Sequence, residues 1–588
     1  MSRLEIASPK KAKIVMEGLY KDLERRIESS PPGLCPVDMA RAFLELCHAQ
    51  TCGKCVPCRI GLGQLNNFIR EVLDGKATMK TLDIMEQTAL SIMESADCAI
   101  GYEAANMVYK GLIGYRDDYV EHIQNGRCTC TYNQPVPCVS LCPAHVDIPG
   151  YVALVGEGRY ADAIRLLRKD NPFPTTCGFI CEHPCEARCR RNMVDDSINI
   201  RGLKRVAADF AGEVDPPQCA PDTGKKIAIL GGGPGGLSAA YYLQLMGHQT
   251  TVYEMLPKLG GMLRYGIPNY RLPKDRLDDD IRAILKTGVQ VKNGLKIGQD
   301  ITIQQLRQEY DVVLITIGAS TDKKLGLENE DADGILSAVQ FLRNVGKNQI
   351  MDLTGKEVAV IGGGNVSMDA VRTAKRLGAK KVSIVYRRRV ADMTALPGEI
   401  DGAVAEGIEL QTLKAPASID VDENHHVKGI YVTPQMVSSI RDGRASIKPT
   451  GEEDIYIPCD VLIVAIGQNI ETHHFEQAGI PVERGKIVTK STGAFENLPG
   501  VFAGGDCASG PASVIKAIAA AKVVAANIDE YLGYHHEISC DVEIPKASLH
   551  DRVPCGRAEL TEREACERVC DFEGVENCMT EKEAKQEA

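Results

Sequence analysis

Two glycine-rich loops, Gly231-Gly232-Gly233-Pro234-Gly235-Gly236 and Gly362-Gly363-Gly364-Asn365-Val366-Ser367, each follow a short apolar run and each lead into a helix-like stretch. A strand that turns through glycines into a helix presents backbone N–H groups and the positive end of the helix dipole to a phosphate. A chain with two such units is expected to fold as α/β, with two Rossmann-like nucleotide-binding domains. In the first loop Gly231 makes the tight turn, Gly233 admits the pyrophosphate and Gly236 lets the helix pack closely on the strand. In the second, Gly362 and Gly364 recur, and Ser367 stands where a third glycine is usual, small enough to permit the packing.

Charge then separates the two loops. The strand Thr250-Thr251-Val252-Tyr253 ends at Glu254, a carboxylate suited to a ribose 2′-hydroxyl and repellent to a phosphate. Val382-Ser383-Ile384-Val385-Tyr386 runs instead into Arg387-Arg388-Arg389, guanidinium groups suited to a ribose 2′-phosphate. The first loop therefore reads as an FAD site and the second as an NADPH site, with Arg387 and Arg388 on the phosphate and Arg389 turned away.

At 588 residues the chain exceeds what one hydrophobic core supports, so several domains are expected. A net charge of -11 argues against nucleic acid and gives no attraction to an anionic membrane. No apolar run reaches the length of a spanning helix, and Met1-Ser2-Arg3-Leu4-Glu5 has no apolar signal core, so a cytoplasmic location is expected.

Twenty-two cysteines are bunched at metal-like spacings in a large chain, a pattern that points to ligation and away from disulfides. Cys52-x2-Cys55-x2-Cys58, followed by Cys98, offers three thiolates from one loop and one from a distant helix end. Such a set suits the corners of a [4Fe-4S] cubane, whereas zinc, the rival, favours two pairs of ligands. Next come Cys128, Cys130, Cys138 and Cys142-Pro143, then Cys177, Cys181, Cys185 and Cys189. These eight thiolates suffice for two more cubanes, in a pairing that chain order does not fix. Cys35, Cys47, Cys219, Cys459, Cys507 and Cys540 read as small hydrophobes or free thiols, and the loose spacing of Cys555, Cys566, Cys570 and Cys578 favours the same reading. None of the twelve histidines falls in a metal-ligand pair and no nucleophile sits beside a base. Hydride transfer needs neither, because the cofactors carry the chemistry, so no catalytic side chain is assigned.

The expected domains are a helical cluster domain over 1–120, a helical two-cluster domain over 121–215, an FAD domain in two parts (216–345 and 485–535), an NADPH domain over 346–484 inserted between them, and a charged tail over 536–588. From 225 onward strands and helices alternate, which implies parallel sheets. The insertion is read from a repeat: Asp311-Val312-Val313-Leu314-Ile315-Thr316-Ile317-Gly318 echoes Asp460-Val461-Leu462-Ile463-Val464-Ala465-Ile466-Gly467, and Gly500-Val501-Phe502-Ala503-Gly504-Gly505-Asp506 marks the return to the first domain.

Residues 121 to 535 resemble the small subunit of NADPH-dependent glutamate synthase, the N-terminal half of dihydropyrimidine dehydrogenase and the NADPH-binding subunit of electron-bifurcating ferredoxin transhydrogenases. The resemblance is carried by Cys138-x3-Cys142-Pro143, Thr176-Cys177-Gly178-x2-Cys181, Gly260-Gly261-Met262-Leu263-x-Tyr265-Gly266-Ile267-Pro268, Arg271-Leu272-Pro273, Gly362-Gly363-Gly364-Asn365, Tyr386-Arg387-Arg388 and Gly504-Gly505-Asp506. It implies FAD contacts at Glu254, Gly261, Met262, Arg271 and Asp506, and NADPH contacts at Gly364, Asn365, Arg387, Arg388 and Gly467. It also implies crossed cluster ligands: Cys128, Cys130, Cys138 and Cys189 for one, and Cys142, Cys181 and Cys185 for the other. Where relatives place a Gln or Glu as the remaining ligand this chain has Lys204, a poor ligand when protonated, which leaves Cys177 or another group for that corner.

Residues 30 to 127 resemble the C-terminal cluster domain of the NADH-binding flavoprotein subunit of respiratory complex I, through Thr51-Cys52-Gly53-Lys54-Cys55-x-Pro57-Cys58-Arg59-x-Gly61 and Asp97-Cys98-Ala99-Ile100-Gly101, without the FMN domain that would precede it. Together the resemblances imply an iron-sulfur flavoprotein with FAD, NADP(H) and three [4Fe-4S] clusters, working in an electron-bifurcating NADPH/NADH/ferredoxin complex. The implied partners are an NADH-binding iron-sulfur flavoprotein subunit, a small iron-sulfur subunit and ferredoxin. The alternatives are the electron-donating subunit of glutamate synthase and a non-catalytic electron relay.

Overall fold

The computed structural model describes residues 15–21, 23, 35–125, 136–187, 189–193, 196–441, 444–545 and 556–588. These fall into two compact units: residues 1–141 with 184–197 and 554–556, and residues 142–183 with 198–553 and 557–588.

The first unit is helical, with Pro36–Ala49, Leu62–Leu73, Met79–Ser95, Ala99–Gly114 and Arg116–Asn125 as its main helices. Their apolar residues recur at helical spacing and close one core around Phe43, Leu44, Leu65, Ile69, Leu82, Met85, Val108 and Leu112, all fully buried. Thr78 and Thr81 form a reciprocal capping box that starts the helix Met79–Ser95. A single π-helical turn, Pro57–Gly61, carries Cys58 and runs directly into Leu62–Leu73.

The second unit begins with the helices Ile148–Gly156, Tyr160–Asp170, Pro174–Ile180 and Ile200–Phe210 and continues into two five-stranded parallel sheets. The first sheet runs Val501–Ala503, Val312–Ile315, Lys226–Leu230, Gln249–Glu254, Gln290–Asn293. The second runs Ile335–Ser337, Val461–Val464, Glu357–Ile361, Lys381–Tyr386, Glu409–Thr412. In both, strand order reverses beside the strand that carries the glycine loop, the place where open α/β sheets bind ligands.

The repeat seen in the sequence occupies equivalent positions in the two sheets. The backbone N–H of Lys226 donates to Asp311 Oδ2 at 2.9 Å, and that of Glu357 donates to Asp460 Oδ2 at 2.8 Å. Each aspartate thus pins the start of the loop strand to its neighbour. The second sheet already includes Ile335–Ser337, upstream of residue 346, and the chain crosses between the domains where Thr321–Asp322 pairs antiparallel with Gln468–Asn469.

Alternation of strand and helix misses one layer. Lys414–Val421, Val427–Arg441, Arg444–Pro449 and Ile455–Pro458 form an antiparallel sheet. Its Ile419, Ile430 and Val432 cover Ala359, Ile361 and Leu462 on one face of the second parallel sheet, while helices bury Val358, Val360 and Ile463 on the other. No helix among the described residues is long and apolar enough to cross a membrane.

Candidate dinucleotide and iron-sulfur sites

In the first cradle Gly231 has φ +113°, and a Cβ there would stand 2.5 Å from the Thr316 carbonyl oxygen, so only glycine permits this turn. The helix Pro234–Leu245 starts immediately afterwards with its free N–H groups at the loop. Opposite, a Cβ on Gly261 would lie 2.8 Å from Gly233 Cα, so the two glycine turns can face each other closely only because Gly261 lacks a side chain. A cradle that side chains would fill fits the pyrophosphate of FAD. Glu254 is buried at its rim, where Oε2 accepts from Gly232 N at 2.7 Å and Oε1 from Leu256 N at 2.8 Å. Burial raises its carboxyl above the ordinary value against those backbone donors. Met262 opens the short helix Met262–Tyr265, and Asp506 opens Asp506–Ser509 with its carboxyl pushed up to about 6 by burial, opposed by the Ala512 backbone.

The second cradle repeats the first. Gly362 has φ +146° and a Cβ there would meet the Ala465 carbonyl oxygen at 2.4 Å. Ser367, at the third glycine position, is fully buried with no hydrogen-bond partner for Oγ, which fits a residue chosen for size. Asn365 Oδ1 accepts from Leu396 N at 3.0 Å and holds the turn beyond the loop. Gly364 caps the helix Asn365–Arg376, and Gly467, at φ +138°, follows the neighbouring strand.

The three arginines after this sheet's second strand differ in their surroundings. Arg389 pairs with Asp392 through Nε at 2.8 Å and Nη2 at 2.9 Å. Arg388 donates from Nε to the Ala445 carbonyl at 3.1 Å. Arg387 is exposed and makes no hydrogen bond or ion pair with any described residue, which leaves a whole guanidinium for a ligand phosphate.

Arg271, implied as an FAD contact, has its Nη1 on both carboxylate oxygens of Asp369 and its Nε 2.7 Å from Glu399. The network extends through Arg372, which joins Glu399 and Glu406 at 2.7 Å each, and through Arg376 and Arg568, which also reach Glu406. Tyr270 lies against Arg372 and Arg376, with ring-to-guanidinium distances of 5.1 and 3.9 Å. Sequence reasoning missed this network, because its members are scattered and each alone resembles a solvated charge.

In the first unit, Cys58 is buried, Cys55 and Cys98 are half-buried and Cys52 is exposed. A Cβ on Gly101 would stand 2.6 Å from Cys58 Sγ, so glycine here lets Cys58 pack against the helix that Cys98 caps. Burial pushes the Cys58 thiol up to about 12, and Cys55, Cys98 and Cys52 add to the rise, so the four thiols share one locality. Burial also raises Cys55, but hydrogen bonds from the Asp97 and Cys58 backbone and the Cys58 thiol more than reverse it. Four cysteines in one locality, with backbone donors on Cys55, fit the ligand set of a [4Fe-4S] cluster.

Of the remaining ligands, Cys128 and Cys130 lie outside the described residues. Cys138, on Pro137–Leu141, and Cys185, on Pro184–Ala187, belong to the first unit together with Cys189, and those two short helices pack on each other. Cys142, Cys177 and Cys181 are buried in the second unit. Burial, then Cys181, raises the Cys177 thiol, and Lys204 acts in the opposite direction, so the buried Lys204 side chain stands near these thiols. Asn171, beside Cys177, has its Nδ2 buried without a partner, a polar atom that suits a bound group. Among the tail cysteines Cys566 and Cys570 are exposed and Cys578 is half-buried, while Cys555 lies outside the described residues.

The fold brings two of the histidines onto one carboxylate. His248 Nε2 and His536 Nδ1 meet Asp529 Oδ1 at 2.9 and 2.8 Å, and the three form the one group of metal-competent side chains with ligand atoms within 4.8 Å among the described residues. His248 and His536 are far apart in sequence, so no spacing rule finds them. The contacts are hydrogen bonds, and Asp529 Oδ2 also accepts from His536 N at 2.7 Å. The trio anchors the chain that leaves the helix Val514–Tyr531.

These cradles and thiol clusters define a two-dinucleotide flavoprotein with iron-sulfur domains. The chain belongs to the pyridine nucleotide-disulphide oxidoreductase family, which matches residues 225–521. The iron-sulfur binding region of NADH-ubiquinone oxidoreductase-F matches residues 38–122, and the 4Fe-4S domain II of dihydropyrimidine dehydrogenase matches residues 114–215. The beta subunit of NADP(+)-dependent formate dehydrogenase from Moorella thermoacetica is 32% identical, over 91% of this chain and 87% of that one. The beta subunit of NADPH-Fe(3+) oxidoreductase from Geobacter sulfurreducens is 33% identical, over 95% and 89%. The small chain of NADPH glutamate synthase from Escherichia coli is 33% identical, over 67% and 88%. The protein is thus an NAD(P)-dependent flavin and iron-sulfur oxidoreductase.

Proposed function

We propose that this chain is the NADP(H)-handling subunit of a multi-subunit oxidoreductase, exchanging hydride between NADPH and FAD and passing single electrons through three [4Fe-4S] clusters to a partner. The observation that carries this reading is the contrast between buried Glu254 beside the first loop and exposed, unpaired Arg387 beside the second. When bound, FAD supplies the conversion between a two-electron hydride and the single electrons that clusters accept.

In this reading Gly231, Gly233 and Gly236 receive the FAD pyrophosphate, Glu254 holds its ribose, and Gly261, Met262 and Asp506 line the flavin side. Gly362, Gly364, Asn365, Ser367 and Gly467 form the second cradle, and Arg387 with Arg388 selects NADPH over NADH. Cys52, Cys55, Cys58 and Cys98 hold one cluster, and Cys128, Cys130, Cys138, Cys142, Cys181, Cys185 and Cys189 contribute to two others. The protein binds, orients and excludes water; hydride exchange asks for no proton-moving side chain.

The formate dehydrogenase and ferric oxidoreductase beta chains match 91% and 95% of this chain, whereas the glutamate synthase chain matches only 67% of it. That difference favours a substrate-handling dehydrogenase or reductase subunit as partner. The electron-bifurcating complex, with an NADH-binding flavoprotein, a small iron-sulfur subunit and ferredoxin, is the second reading, supported by the match at residues 38–122. Anaerobic purification of the native chain through an affinity tag, with mass spectrometry of what accompanies it, separates the two. A substrate-handling subunit supports the first and an NADH-binding flavoprotein the second; a glutamine amidotransferase overturns both.

A further inference from the structure

The inserted nucleotide domain joins the flavin-side domain through Thr321–Asp322 and Gln468–Asn469, a ladder only two residues long. So short a pairing fixes a point of attachment and leaves the angle between the domains to contacts made elsewhere. One such contact is buried and directional. Arg271 Nη1 donates to Asp369 Oδ1 at 3.0 Å and Oδ2 at 2.9 Å, and its Nε stands 2.7 Å from Glu399. The two paired side chains are 9% and 5% exposed. Beside them the Tyr270 hydroxyl donates to the Asp369 backbone carbonyl at 3.3 Å. Arg271 stands just beyond the turn that contains Gly261 and Met262, and Asp369 is one turn into the helix that Gly364 caps. The pair therefore links the walls of the two cradles.

We propose that Arg271, acting through Asp369 and Glu399, is a positioning residue for hydride transfer: it sets the orientation of the second nucleotide cradle against the first and is not a flavin ligand. The inference rests on the reading of the two loops as FAD and NADP(H) sites. Glu399 is held from its other side by Arg372 at 2.7 Å, so the contact is part of a fixed lattice. An apolar contact would hold two domains together as well as buried charges do. A forked guanidinium on a carboxylate adds a defined angle, which is what an orienting contact has to provide.

The test uses the full chain loaded with FAD and clusters under anaerobic conditions, in wild type, Arg271→Met, Asp369→Asn and Arg271→Lys. FAD content, KM for NADPH and the single-turnover rate of flavin reduction are measured for each. Arg271→Met and Asp369→Asn are expected to keep FAD, to leave KM largely unchanged and to lose about 100-fold in rate, the scale expected for a misplacement of about 1 Å. Arg271→Lys, which keeps an ion pair, is expected to recover most of that loss. Asp369→Asn leaves Arg271 in place, so a flavin-ligand role predicts FAD loss in Arg271→Met alone with a normal rate in Asp369→Asn. That pattern overturns the proposal, as do unchanged rates in both. Should Arg271→Met not fold, Asp369→Asn decides. A wild-type flavin that NADPH does not reduce defeats the cofactor reading itself, before any variant is compared.

Discussion

At the residue scale, the charge that follows each second strand carries most of the functional information. Glu254 and Arg387 follow equivalent strands, yet one is buried and held by backbone N–H groups while the other is exposed with no partner. Both were legible because strand, glycine loop and next strand have fixed spacing, which turns a residue type into a position. Arg271 was legible as a motif residue and not as an ion pair, because Asp369 and Glu399 come from elsewhere in the chain. With Arg387 on the 2′-phosphate as proposed, replacing it by Ala is expected to remove a charge-assisted contact of ~1.5–3 kcal/mol, equivalent to roughly a 10- to 100-fold rise in KM for NADPH. NADH has no 2′-phosphate and is expected to change little. Steady-state diaphorase assays with both nucleotides check this, and an equal effect on the two removes the cofactor assignment.

At the scale of elements, period and glycine punctuation made the parallel strands readable, because fully buried runs such as Val312–Ile315 and Val461–Val464 end at turns. The antiparallel sheet over 414–458 was hidden in a region of mixed polarity, where exposed Tyr431, Val437 and Tyr456 blur the alternation. The C-terminal segment read only as a charged tail, and the structure adds that Arg201 pairs with Glu576 and Asn199 N donates to Glu587 Oε1 at 2.6 Å, contacts between residues remote in sequence. The His248, Asp529 and His536 anchor is of the same kind and predicts a pH dependence. Burial, opposed by Asp529, holds the His248 imidazole below its ordinary value. Between that lowered value and about 6.5 the unfolded chain binds a proton that the native chain does not, so stability falls as pH drops through this window, by at most about 1.4 kcal/mol per pH unit. Asp529 is also lowered, burial being outweighed by its histidine and backbone donors. Its contribution is present above about 4 and is lost only as pH falls through its folded value, so it is silent in this window. Buried carboxyls such as Asp280 and Asp506, pushed up to about 6 by burial, act in the opposite direction as pH falls, so the test is a difference: between pH 7.5 and 5.5 the melting temperature of wild type is expected to change less favourably than that of His248→Gln, whose amide can still donate to Asp529. Equal changes in the two proteins would show that His248 does not titrate in this window.

At the scale of the whole molecule, the thiol cluster of Cys52, Cys55, Cys58 and Cys98 and the two dinucleotide cradles belong to different compact units, each with its own core. A compact unit with its own core can lose a bound group without unfolding its neighbour. The proposed function therefore makes a separable prediction. Cys58→Ala removes a buried thiol that the proposal assigns to the first cluster while leaving the Gly231 and Gly362 cradles untouched. Anaerobic iron analysis of the variant is expected to fall by about four irons per chain, the content of one cubane, while FAD content and single-turnover reduction of the flavin by NADPH stay at wild-type levels. Transfer to the co-purified partner is expected to fall if this cluster is the exit. Normal partner transfer with the iron lost would move the exit to the clusters of Cys138 to Cys189. Loss of flavin reduction together with the iron would mean instead that the two units act as one, and that the hydride step depends on the N-terminal cluster.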